Sequence, residues 1–327
     1  MLKLRHLIEN FSLAREALSH FAHDEESLDG ALAHFRISAN AVYPFYRGGQ
    51  LCFLRMAPVS EKREDDLLGE IEFLRYLEKR GYPAMRPIRA EDGSFLLHLE
   101  TRWGAYFACA FTGVPGTPLE DLPLTPELAR AYGSALGRLH VLSAQYEPAV
   151  RKATHDDLLR WIRAQLAEYD APELILRACD QLERELADLA RDPEQYGLVH
   201  YDFEPDNVFF DPAEGICHAI DFDDGLYCWY AMDLEQALDC IAPGLHAPFL
   251  AGYAAERLLP EALPAMRRLM RRLADLRAYA RLVRALADEV EPQPDWMPGL
   301  RARLQARCVE LCAKIGASLD ERRADSL

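Results

Sequence analysis

Residues 198–224 read LVHYDFEPDNVFFDPAEGICHAIDFDD, and their pattern decides how the rest of the chain is organised. Three short apolar runs, Leu198-Val199, Val208-Phe209-Phe210 and His218-Ala219-Ile220, each end against polar side chains. Runs of this length, separated by Asp, Asn, Pro and Gly, predict small strands joined by turns. Acidic and amide side chains therefore fall where buried strands end, a placement that converges ligating groups on one point.

Asp202 precedes Asn207 by five positions, and Asp221 follows one hairpin later. Phosphoryl transfer from a nucleotide requires a carboxylate beside the attacking hydroxyl. It also requires oxygen ligands for Mg²⁺ on the phosphates, because the metal neutralises charge developing in transfer. Asp202 suits the first task, orienting or deprotonating the hydroxyl. Asn207 and Asp221 suit the second, with hard oxygen donors. The order Asp, four residues, Asn, hairpin, Asp-Phe-Asp matches the catalytic and metal loops of kinase-like folds.

HYDFEPDNVFFD at 200–211, followed by AIDFDD at 219–224, resembles the signature of the aminoglycoside phosphotransferase and choline kinase-like small-molecule kinases. The resemblance implies an α+β, protein kinase-like two-lobed fold, with a small five-stranded antiparallel β lobe and a larger, mostly helical lobe. It also implies that Asp202 is the catalytic base, that Asn207 and Asp221 bind Mg²⁺, and that His200 supports the loop without reacting. Two positions depart from the family pattern. Tyr201 stands where a small residue is usual, and Asp223 stands where Gly is frequent, adding negative charge near the metal.

A chain of 327 residues suits two lobes sharing a cleft, and half of it is hydrophobic, enough for a substantial core. Lys and Arg total 37 against 53 Asp and Glu, a net charge of −16. Such a surface repels nucleic acid and anionic membranes and favours cationic ligands, as an amine-bearing substrate would be. Eight cysteines (52, 109, 179, 217, 228, 240, 308 and 312) are scattered without a CxxC pair. That spacing argues against a zinc or redox motif and fits a reduced, cytoplasmic setting. The opening MLKLRHLIENFSLAREAL carries charge too early for a signal peptide, and no apolar run approaches membrane-spanning length.

Leu4, Leu7, Ile8, Phe11 and Leu18 recur at helical spacing and predict an amphipathic opening helix, with a short second helix over 28–33. Strands are expected over 34–38, 42–46 and 51–56, with Arg47-Gly48-Gly49 as the turn between the last two. The connection Ser38-Ala39-Asn40-Ala41 falls where kinases cover the nucleotide phosphates. It has no glycine, which leaves Ser38, Asn40 and the backbone to cradle them. Arg55 ends the third strand at a position where the related kinases usually place Lys. Its planar fork suits bridging phosphate and carboxylate. On the helix predicted over 65–79, Glu70 is the expected partner, because Ile71, Leu74 and Leu77 mark the neighbouring apolar face.

Two more strands, 95–99 and 105–111, complete the expected sheet. The Gly/Pro cluster from Thr112 to Pro118 is the best lobe boundary. By resemblance this crossing is the hinge, and Cys109 and Phe111 line the base pocket. Beyond it the chain turns helical. Thr125-Pro126 is a start signal, His140 reads as a structural hydrogen-bonder, and further helices are expected over 156–169, 172–190, 229–241, 258–287 and 300–319. Asp233 falls near a helix start, where a carboxylate caps backbone N–H groups; the family places an Asp here that braces the catalytic loop. The acidic loop EVEPQPDWMPG, with Trp296 and with Tyr227, Trp229 and Tyr230, offers aromatic faces to a cationic acceptor.

The expected organisation is a nucleotide-binding lobe over 1–111, a hinge over 112–123, and a helical lobe over 124–327 carrying the catalytic loops and acceptor site. The expected activity is ATP- and Mg²⁺-dependent transfer of the γ-phosphoryl group to a hydroxyl of a small, amine-bearing molecule: an aminoglycoside, amino alcohol or hydroxy amino acid. Two alternatives stay open. One is a nucleotide-binding regulatory protein of the same fold without turnover, motivated by the glycine-free loop and Arg55. The other is a metal-dependent phosphohydrolase using His200 and Asp202 as ligands.

Overall fold

The computed structural model describes residues 3–6, 10–38, 40–260, 262–290 and 293–325, with the side chains of residue 5 and of 320–325 left aside. Leu7 and Ile8 of the expected opening helix, Ala39 of the expected phosphate loop, and Glu291 and Pro292 of the acidic loop lie outside the described residues. The chain forms two compact units. One comprises Ile8–Lys152 and Asp192–Glu261, the other Met1–Leu7, Ala153–Arg191 and Ala262–Leu327.

The first unit opens with α1 (Phe11–Leu18) and α2 (Leu28–Leu32). The Asn10 side chain caps α1 by accepting from the Leu13 N–H at 2.9 Å. Six strands follow: β1 (Arg36–Ile37), β2 (Ala41–Arg47), β3 (Gln50–Pro58), β4 (Pro87–Ile88), β5 (Leu97–Thr101) and β6 (Gly104–Thr112). All pairings are antiparallel, in the order β1-β2-β3-β6, with β4 and β5 sharing the far edge of β6. The sheet thus has one strand more than expected, because a two-residue strand leaves no periodicity to read. Period-two alternation sorts its two faces. Cys52, Leu54, Met56, Ala108 and Ala110 enter the core beneath α1 and α2. The intervening Arg55 lies opposite Cys109 in register and carries a charge to the other face.

Helix α3 (Glu64–Lys79) follows β3, and β7 (Thr117–Pro118) leads to α4 (Pro126–Ala144). Thr125 caps α4 through the Leu128 N–H at 3.3 Å, the start that Thr-Pro signals. Next come α5 (His155–Glu168) and α6 (Glu173–Ala187) of the second unit. The first unit then resumes with β8 (Tyr196–Val199), β9 (Val208–Asp211), β10 (Ile216–Ala219) and β11 (Leu226–Trp229), followed by α7 (Ala231–Asp239) and α8 (His246–Glu256). β10, β9 and β7 form a small sheet, and β11 pairs with β8.

Trp229, expected to begin a helix, instead ends β11, and α7 starts two residues later. Helix α8 gave no signal, since Pro248 and Gly252 lower its intrinsic propensity. Packing supplies what propensity lacks. A Cβ at Gly133 of α4 would meet the Phe249 carbonyl at 1.9 Å, and one at Gly252 would meet the Arg130 carbonyl at 2.0 Å. The two backbones touch only because both positions are glycine.

The second unit continues with α9 (Leu263–Leu286) and α10 (Met297–Asp325). Pro264 sits in the first turn of α9 and does not interrupt it. A reciprocal cap between Thr154 and Asp157 starts α5. All eight cysteines are free, and among the described residues no helix is long and apolar enough to cross a membrane.

Candidate active site

The segment between β8 and β9 is held by a buried carboxylate. Asp233, on α7, accepts from the His200 N–H at 2.8 Å and the Tyr201 N–H at 2.7 Å, and its Oδ2 lies 3.0 Å from His140 Nε2. Rather than capping its own helix, Asp233 braces the loop after β8, and His140 is its structural partner. Tyr201 sits at φ +65°, left-handed backbone that a bulky side chain adopts at a cost of about 1–2 kcal/mol. The paired backbone N–H groups fix that conformation and turn Asp202 away from the strand.

His200 is buried, and desolvation lowers its pKa. It receives the Asp202 N–H at Nδ1 (3.3 Å) and reaches the Ile220 carbonyl through Nε2 (2.8 Å), so one imidazole links both loops. The Asn207 amide nitrogen donates to the Asp202 carbonyl at 3.0 Å and to its Oδ2 at 2.9 Å. The backbone ties the loops once more, from the Ile220 N–H to the Asn207 carbonyl at 3.0 Å.

Asp221 follows β10 at φ +59°. Its side chain is 49% exposed, with Oδ1 3.6 Å from Arg55 Nη1. Both terminal nitrogens of Arg55 donate to Glu70 of α3, Nη1 at 3.0 Å. Cys109 Sγ lies 3.7 Å from Nη2, and the guanidinium lies over the Phe111 ring at 4.8 Å. Arg55, Glu70, Cys109 and Phe111 are thus one buried cluster facing Asp221. Glu72, the neighbouring candidate, instead accepts from the Ala149 and Val150 N–H groups at 2.8 Å each.

Acid crowding dominates the electrostatics. Burial, followed by the carboxylates of Asp224, Glu204, Asp221 and Asp206, pushes the Asp202 carboxyl up to about 8. Burial also raises Asp221, although Arg55 opposes the rise. Asp223 behaves oppositely: burial works against its charge, but Lys62 and Arg55 more than offset it and hold the carboxyl well below the usual range. Lys62 pairs with Asp223 Oδ2, which also accepts from Asn40 Nδ2 at 2.9 Å. The extra negative charge read from the sequence is therefore already balanced. Lys152 donates to the carbonyls of Phe222 and Asp223 at 3.0 Å each and fastens the same loop from behind. A Cβ at Gly69 would lie 2.7 Å from Lys152 Cγ, so this glycine admits the lysine beside Glu70.

The structure brings together every expected site residue except Ser38, which is exposed and donates its N–H to the Asn40 carbonyl at 3.0 Å. Trp229 and Tyr230 do not offer aromatic faces to a ligand. Both are fully buried, Trp229 against Tyr196 and Tyr230 against His140. Sequence reading missed Lys62 and Lys152. The one available signal is scarcity, because only five of the 37 basic residues are lysine and two of those five end on this loop.

A protein kinase-like fold with Asp202 and Asn207 before the β9–β10 hairpin and Asp221 after it fits a small-molecule phosphotransferase. The model of the phosphotransferase enzyme family (APH) matches residues 40–270, and the chain belongs to that family. Amicoumacin kinase of Bacillus subtilis (strain 168) is 25% identical over 230 residues, covering 66% of this chain and 68% of that protein. A homoserine kinase of Rhodospirillum rubrum is 34% identical over 189 residues, 55% of each chain. Among solved structures, amicoumacin kinase hAmiN in complex with AMP-PNP, Ca²⁺ and Ami superposes with a TM-score of 0.76 at 21% identity, covering 95% of this chain and 94% of that one. The microcompartment-associated aminopropanol kinase gives 0.69 at 22% identity, covering 95% and 98%. These two share the fold.

Proposed function

We propose that this enzyme transfers the γ-phosphoryl group of ATP to a hydroxyl of a small, amine-bearing molecule, with Asp202 as base and Asn207 and Asp221 as Mg²⁺ ligands. The observation that carries the proposal is the Asp202–Asn207 pair set beside Asp221. The Asn207 amide nitrogen is committed to Asp202, which leaves its Oδ1 as a hard donor. Asp221 contributes a half-exposed carboxylate. Burial, then the neighbouring carboxylates, raises the pKa of both carboxyls, and a divalent cation would offset that crowding of negative charge. The donor set therefore fits Mg²⁺, which when bound would neutralise charge on the transferring group.

In this reading Asp202 accepts the proton of the attacking hydroxyl, and its elevated pKa makes it a stronger base than an exposed aspartate. Arg55, held by Glu70, orients Asp221. Asn40, held on Asp223, belongs to the loop over the phosphates, while Cys109 and Phe111 close the inner wall of the nucleotide site. Residues 1–111 carry the nucleotide, 112–123 form the hinge, and 124–327 carry the catalytic loops and the acceptor. Homoserine and aminopropanol, named for the relatives, each combine an amine with a hydroxyl. A net charge of −16 favours an acceptor that is a net cation, such as an amino alcohol.

The test is ADP release with Mg-ATP and separate pools of amino alcohols, hydroxy amino acids, aminoglycosides and sugars, with ³¹P NMR of the product. A phosphate ester formed from an amine-bearing acceptor supports the proposal. Nucleotide binding without transfer to any pool would favour a silent nucleotide-binding protein.

A further inference from the structure

Anionic phosphates in a site this acidic need a cationic side chain with donors to spare. Among the described residues three cations approach the loop at 221–224, and two are buried against fixed partners. Arg55 spends both terminal nitrogens on Glu70 and its face on Phe111. Its side chain is 6% exposed, and the paired contacts with Glu70 hold the head group inward. Lys152 is 4% exposed and is tied to two backbone carbonyls. Both act as struts that shape the loop.

Lys62 differs. It is the C-cap of the 3₁₀ turn Val59–Glu61, between β3 and α3, and its side chain is 16% exposed. Its ammonium meets one oxygen, Asp223 Oδ2, while an ammonium has three donors. The same oxygen takes the Asn40 amide at 2.9 Å, from the loop that precedes β2. Asn40 is 5% exposed, and its Oδ1 is buried without a hydrogen-bond partner. Asp223 therefore gathers an amide from the expected phosphate loop and an ammonium from the turn after β3, two positions from the proposed metal ligand Asp221.

We propose that Lys62, anchored by Asp223, is the phosphate-contacting cation of this site and binds the β- and γ-phosphates of the nucleotide in place of the lysine that Arg55 replaces. The assignment rests on the phosphotransferase reading above. A compact ammonium on a flexible stem suits a phosphate oxygen, whereas the guanidinium fork of Arg55 suits the carboxylate it already holds.

Calorimetric titrations of Mg-ATP, ADP and AMP separate the possibilities, using wild type, Lys62→Ala, Lys62→Gln, Lys62→Arg, and Lys62→Ala combined with Asp223→Asn. One charge-assisted contact corresponds to about 10- to 100-fold in affinity. Lys62→Ala and Lys62→Gln are expected to weaken ATP and ADP by that factor and to leave AMP unchanged, which also shows that the site is folded. Lys62→Arg is expected to recover part of the loss, and the double variant none of it. Equal loss for all three nucleotides, or wild-type affinity in the double variant, would mean that Lys62 merely neutralises Asp223 and would overturn the proposal. Unchanged ATP affinity in Lys62→Ala overturns it alone, whereas a wild type that binds no nucleotide overturns the phosphotransferase reading with it.

Discussion

Replacing Asp233 by Ala tests how the catalytic loop is held. The carboxylate is fully buried and receives the His200 N–H, the Tyr201 N–H and the His140 ring. A hydrogen bond to a charged group contributes about 1.5–3 kcal/mol, and an unpaired buried N–H carries its own penalty. Because the three contacts share one side chain, their sum is discounted to about 3–6 kcal/mol, a large part of the roughly 5–15 kcal/mol that holds a domain folded. For a unit of this size that corresponds to a fall in Tm of roughly 10 °C or more. The loop loses more than stability, since the left-handed Tyr201 relaxes once its N–H is released, and Asp202 turns with it. Asp233→Asn keeps the volume and one acceptor and is expected to lose about half as much. Differential scanning calorimetry, with kcat measured well below the variant's Tm, reads both effects. An Asp233→Ala protein with wild-type Tm and kcat would refute the bracing role.

Further outcomes follow from the same contacts. Asp221→Ala is expected to weaken Mg-ATP binding at least tenfold by calorimetry, because it removes a proposed metal ligand; unchanged affinity contradicts that role. Glu70→Ala strands the buried Arg55 charge and is expected to cost about 3–5 kcal/mol in urea unfolding, while a paired Arg55→Met and Glu70→Leu change costs less. A base must be ionised to act, and Asp202 in the ligand-free fold is held up to about 8. Hence kcat/KM for Mg-ATP, which reports the ligand-free enzyme, is expected to fall as pH drops through about 8 and below, and the fall is expected to vanish in Asp202→Asn. A flat profile in wild type would contradict the assignment.

Local chemistry was legible in the sequence, and distant chemistry was not. Asp202 and Asn207 stand within one turn-sized segment, and Asp221 is one hairpin away, so their spacing alone places them together. The Arg55–Glu70 pair joins a strand end to the helix that follows it, 15 positions apart, and periodicity singles out the carboxylate. Asn40 and Lys62 reach Asp223 across 183 and 161 positions, and nothing in a polar run such as EKRED marks the lysine that does so. Asp233 illustrates the middle case. Its position near the start of α7 suggested a cap and the family resemblance a brace for the catalytic loop, and its carboxylate accepts from the two N–H groups of the loop after β8. Helix α8 was invisible for a different reason: Gly252, which lowers its propensity, is what permits its contact with α4.

The measurement that bears most directly on the whole account is a comparison of Asp202→Asn with wild type, following Mg-ATP binding by calorimetry and acceptor-dependent ADP release on the same samples. Asn207 and Asp221 remain in the variant, so nucleotide affinity is expected to stay within about threefold while turnover falls by about 10²- to 10⁴-fold. Turnover close to wild type in a variant that binds Mg-ATP normally would contradict Asp202 as the base, and with it the central reading of the site.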